Sequence, residues 1–76
     1  MPEYLDIGDA VAMLRNGARV SREGWNGKGM YLELQVPDEH SKMSLPYVYM
    51  GTADGHLVPW FCSQSDLLAR DWYVVA

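Results

Sequence analysis

Residues 24–36 read GWNGKGMYLELQV. The first six hold three glycines, a tryptophan, an asparagine and a lysine; a strict alternation follows at once. Met30, Leu32, Leu34 and Val36 alternate with Tyr31, Glu33 and Gln35, the period of a half-buried strand. Upstream, residues 18–25 (ARVSREGW) form a short strand, with Ala18 and Val20 facing one way and Arg19 and Ser21 the other. A glycine loop between two such strands is a tight turn, and Asn26-Gly27 alone would justify one. The pairing is therefore antiparallel.

Residues 6–17 carry the helical period: Ile7, Ala10, Val11 and Leu14 make one apolar face. Asp6 is placed to cap its start, Asp9 complements the dipole, and Gly17 is placed to stop it in the left-handed conformation. Downstream, residues 37–45 form a polar loop and Tyr47-Val48-Tyr49-Met50 a further strand. Asp54-Gly55 signals a hairpin, whose return strand begins at His56-Leu57-Val58 and is limited by Pro59. Ser63 opens a short helix containing Leu67, Leu68 and Ala69, with Asp66 where a capping box puts its acid. Residues 71–75 close the chain as a strand. These elements predict an α+β fold, with an N-terminal helix on an antiparallel sheet of about five strands and one short helix before the last strand.

The chain has 76 residues, 49% of them hydrophobic, with three Trp and five Tyr, and it reads as a single small domain over 1–76. A chain this short buries only about 60% of its unfolded surface, so its core is marginal. Cys62 is alone, which rules out an internal disulfide, and His40 and His56 lie too far apart for a recognised zinc spacing. Oligomerisation is the staple that remains. Net charge is −4, which argues against duplex nucleic acid as partner. Met1-Pro-Glu-Tyr lacks the pattern of a signal peptide, and no run approaches the roughly 20 apolar residues of a membrane helix. A cytoplasmic protein is expected.

Four constellations bear on chemistry. The loop is neither a P-loop, since Gly29 follows Lys28, nor a dinucleotide fingerprint, since no helix follows. A plain turn leaves Trp25 beside Lys28 unexplained: glycines let a ligand approach backbone N–H groups, an indole stacks on a base, and a lysine balances phosphate. Ser63, Gln64 and Ser65 at a helix start suit either a cap or an anion. Cys62 with His56 lacks an orienting group and an oxyanion site, so a buried apolar cysteine and a loop histidine are the better reading. Asp54, Asp66 and Asp71 are accounted for by turn, cap and helix-stop roles, and no metal is expected. Trp60 and Trp72 suit a core or subunit interface, and the Tyr47/Tyr49 face suits an interface or a pocket wall. The residues alone describe a small acidic binding module without a complete catalytic set.

Two stretches, GWNGKGMYLEL and MGTADGHLVPWFCSQSDLLARDWYVV, closely resemble the second type of Thoeris anti-defence protein, a phage and prophage family. The N-terminal DIGDAVAMLRNGARVSREGW fits as well, so the resemblance spans nearly the whole chain. It implies a sponge that binds a cyclic ADP-ribose-type immune signal with a ribose–ribose glycosidic link. Some members also take cyclic oligonucleotides. The signal is held intact by a homotetramer with pockets where subunits meet, in the cytoplasm of the infected bacterial host, without cofactor or metal. The resemblance implies that Trp25 stacks on the purine and that Asn26, Gly27 and Lys28 border the pocket. Thr52, Ala53 and Asp54, with Ser63, Gln64, Ser65 and Asp66, complete it from the same or a neighbouring subunit. This chain departs from the family pattern in a short 37–45 loop and in PYVYM, where relatives carry a histidine and an aspartate. Those changes bear on which ligand is taken. Two alternatives of other classes are a nucleotide-degrading enzyme and a phage protein-interaction module.

Overall fold

The computed structural model describes residues 4–76. Most of the N-terminal Met1-Pro-Glu-Tyr reading lies outside them. The elements are α1 (Ile7–Arg15), β1 (Val20–Arg22), β2 (Tyr31–Gln35), β3 (Tyr47–Gly51), β4 (Leu57–Pro59), α2 (Gln64–Leu68) and β5 (Trp72–Val74). The predicted α+β architecture is the observed one: five antiparallel strands in the order β4-β3-β2-β1-β5, with one helix before the sheet and a short one before its last strand.

Register follows the apolar pattern. Val58, Met50, Leu32, Val20 and Val74 pair across all five strands as one continuous row. That row and its neighbours Leu34, Val48 and Trp72 lie on the core side. The opposite side carries Tyr31, Glu33, Gln35, Tyr47, Tyr49 and Tyr73. A one-residue slip would exchange the two sets, so the pattern fixes the pairing. On the second side Arg19 donates to Glu33 (2.6 Å) and its guanidinium sits 4.4 Å from the Tyr31 ring centre. Ser21, expected opposite Val20 and away from the core, is buried as well.

Asp6 caps α1 by accepting the Asp9 N–H at 2.9 Å, and Gly17 follows the helix at φ +90°, as the sequence predicts. Ala10 and Leu14 drive α1 onto β5, β2 and β1, where they meet Val20, Leu32 and Trp72. The helix covers three of the five strands, and β3 and β4 extend beyond it. The β5 edge is partly closed by Leu5, which exchanges backbone hydrogen bonds with Trp72 (2.7 and 3.1 Å). The β4 edge is open, with Pro59 as the only blunting residue in the strand.

Both turns differ in detail from the dipeptide signals. Asn26 and Asp54 keep negative φ, so neither Asn-Gly nor Asp-Gly forms the mirror-image turn that requires two left-handed residues. In the β3–β4 hairpin the left-handed residue is Gly55 (φ +89°), and Thr52 N–H bonds the His56 carbonyl at 2.8 Å to close a longer loop. In the glycine loop Gly29 takes the positive φ (+78°). Gly27 serves close approach instead, because a Cβ there would lie 2.6 Å from Met30 Sδ and 2.8 Å from the Ala53 methyl.

Candidate functional site

Antiparallel order collects three connections at one end of the sheet: the glycine loop from β1 to β2, the β3–β4 turn, and the link from α2 to β5. All the residues expected in the site lie on these connections, on α2 or, for Ser63, at its N-cap. Two contacts join them directly. Gly27 abuts Ala53, and the Trp25 indole Nε1–H donates to Asp66 Oδ1 at 3.0 Å.

Trp25 is half-buried rather than free-standing. Its ring meets Trp72 edge-on, with centres 5.3 Å apart and planes at 80°, and Trp72 in turn meets Trp60 at 6.0 Å and 86°. Trp72 is fully buried and donates its own indole N–H to the Asp66 carbonyl at 3.1 Å. The partial exposure of Trp25 leaves part of its surface to solvent, and Asn26, Lys28, Ala53 and Asp54, on the two loops at this end, are exposed.

Asp66 is the hub. Ser63 Oγ caps α2 by accepting the Asp66 N–H at 3.1 Å, which is one half of a capping box. The carboxylate does not turn back to the cap; Asp66 Oδ1 accepts from Arg22 Nη1 at 2.7 Å as well as from Trp25. Arg22 Nε reaches Asp71 Oδ1 at 2.7 Å, and Asp71 Oδ2 accepts the Gly24 N–H at 2.7 Å. Burial pushes the Asp66 carboxyl up, but hydrogen bonds from Trp25, Arg22 and Ser63 outweigh it and hold it below the ordinary aspartate range. Asp71 is lowered by its bond from Arg22 in the first place, and the guanidinium is correspondingly raised. Every buried side-chain nitrogen or oxygen among the described residues has a partner.

Arg22 and Asp71 were not among the residues expected here, yet a signal existed. Arg22 follows Val20 by two and shares its face, and an arginine on a core face requires a carboxylate. The other expected residues divide. Thr52 and Asp54 are engaged within their own turn: Thr52 Oγ1 donates to Asp54, accepts the His56 N–H at 2.9 Å, and Asp54 Oδ1 lies 3.2 Å from His56 Nδ1. Gln64 and Ser65 are exposed on the first turn of α2. Cys62 is exposed, with Sγ against the Ser63 carbonyl, and not the buried apolar residue expected. Among the described residues no group of three or more His, Cys, Asp or Glu is placed to hold a metal.

Three concavities among the described residues lie away from Trp25. One, of about 540 Å³, is an apolar groove lined by Met43, Leu45, Pro46, Val48, Trp60 and Phe61, among others. A second, of about 160 Å³, lies on the tyrosine side between Gln35, Tyr47, Tyr49, Leu57 and Pro59. Trp25 lines none of them.

The sequence model of the Thoeris anti-defense 2-like domain matches residues 5–75. A protein of Bacillus phage SP01 described as Thoeris anti-defense 2 is 33% identical over 89 aligned residues, which cover 100% of this chain and 100% of the relative. The match runs from Leu5, which pairs with Trp72, to the residue after β5 and so includes every residue of the Arg22 network. The chain belongs to the Thoeris anti-defense 2-like family.

Proposed function

We propose that this protein is a phage anti-defence sponge, which binds a cyclic nucleotide immune signal and withholds it without cleaving it. The proposed ligand is a cyclic ADP-ribose isomer with a ribose–ribose glycosidic link; cyclic oligonucleotides are a second class. The observation that carries the reading is the gathering at one sheet end, in a member of an anti-defence family, of Trp25, the glycine loop, the Thr52–Asp54 turn and the start of α2. An indole face against a purine contributes about 1–3 kcal/mol per base, and the exposed Lys28 adds charge for a phosphate. Retention without cleavage fits a site whose acids are committed: Asp66 and Asp71 hold Arg22, and Asp54 holds Thr52 and His56. That leaves no free general base beside Trp25 in the network.

The working form is proposed to be a homotetramer in the host cytoplasm, with pockets between subunits. Phe61 at 86% exposure and Leu45 at 75% leave apolar surface that a second subunit would cover. No helix of the described residues is long and apolar enough to cross a membrane. The test titrates the glycosidically linked isomer into wild type and Trp25→Ala by calorimetry. Loss of binding with the assembly intact is expected, and unchanged affinity would reject Trp25 as the platform. Heat denaturation of the loaded protein followed by chromatography should return the ligand intact; a cleaved product would favour the enzyme reading.

A further inference from the structure

We propose that Asp66, Arg22 and Asp71 are positioning residues for Trp25, fixing the indole and its loop before a ligand arrives. The proposal rests on the function proposed above and changes what Asp66 does in it: the acid serves the platform rather than the ligand. Two attachments hold the loop. Asp71 accepts the backbone N–H of Gly24 at 2.7 Å, which pins the residue before Trp25. Asp66 accepts the indole N–H itself at 3.0 Å, which fixes the ring. Arg22 ties both carboxylates together with bonds of 2.7 Å and holds each at its post. Trp72 supplies the third support, edge-on to the Trp25 ring and hydrogen-bonded to the backbone of Asp66.

Two consequences follow for recognition. The indole nitrogen is occupied, so Trp25 offers a ligand its ring surface and no donor. The ring and loop are also ordered in the free protein, so their entropy is not lost on binding, which favours slow release.

The test compares Asp66→Ala with Asp66→Asn, which keeps an oxygen acceptor at the same place. The Trp25 indole N–H resonance is identified by its loss in Trp25→Phe, and affinity is measured with the glycosidically linked cyclic ADP-ribose isomer. Asp66→Ala is expected to shift that resonance, speed its exchange with solvent and weaken binding by about tenfold or more, through loss of pre-organisation. Asp66→Asn is expected to restore the resonance and most of the affinity. An indole resonance and exchange rate identical in wild type and Asp66→Ala would overturn the proposal. So would full affinity in Asp66→Ala when Trp25→Ala abolishes binding. If neither wild type nor any variant binds the isomer, the sponge reading fails, while the indole signal still decides the positioning claim. Should Asp66→Ala not fold, wild-type exchange decides: the Trp25 indole N–H exchanging as fast as in urea-unfolded chain overturns the proposal, and marked protection supports it.

Discussion

The two halves of the core face are built differently. Over β5, β1 and β2 lies α1, and at that end Arg22, Asp66, Asp71, Trp25 and Trp72 satisfy one another within a single chain. Over β3 and β4 no helix lies, and Met43, Leu45 and Phe61 border an apolar groove exposed to water. The first half is finished by the chain itself. The second leaves apolar surface in water, which a second subunit of the proposed assembly would cover.

The contrast breaks most severely at Trp72. It is fully buried and supports both the core and Asp66, so Trp72→Ala should cost about 4 kcal/mol, enough to unfold much of a domain this size. Urea denaturation followed by circular dichroism measures it. Next comes Arg22→Ala, which strands two carboxylates. About 3 kcal/mol is expected, the low end for a broken buried pair because the Arg22 side chain is still 17% exposed. A matching loss in Phe61→Ser, measured on the isolated subunit, would erase the distinction between the halves.

Gly27→Ala should cost about 1–3 kcal/mol by overpacking, since the new methyl meets Met30 and Ala53 and pushes the loop from the turn. Acid sharpens the comparison further. The carboxyls of Asp66 and Asp71 are both lowered in the folded chain. Their contribution is therefore complete above the ordinary aspartate value of about 3.9 and is lost as pH falls through the lower folded values. Thermal melts of wild type should drop steeply there, and Asp66→Asn should flatten the drop. Smallest is Phe61→Ser, within about 0.5 kcal/mol on the subunit's own stability, with its effect appearing instead as dissociation of the assembly in analytical ultracentrifugation.

The sheet was legible because its information is local and periodic. Val20, Leu32, Met50 and Val58 each sit in an alternating run, and the registers follow from those runs. Asp6 and Ser63 announced their helices within three residues. Of the candidate site, Trp25, Gly27, Ala53 and Asp66 were named from sequence, and the structure joins them in two pairs, Trp25 with Asp66 and Gly27 with Ala53. What could not be read was the job of Asp66. Its partner Arg22 is 44 residues away, and a cap position is sufficient local reason for an acid. The turn types were missed for a related cause. Asn-Gly and Asp-Gly permit mirror-image turns, but closure of a longer loop at Gly55 and contact of Gly27 with Ala53 decided the backbone.

Native mass spectrometry of the protein after incubation with extract from cells producing the immune signal reports subunit number and ligand mass together. The account predicts a tetramer that carries unmodified cyclic ADP-ribose isomer, and that Trp25→Ala yields the same tetramer empty. A ligand-free monomer, or a tetramer holding a hydrolysed product, would contradict it.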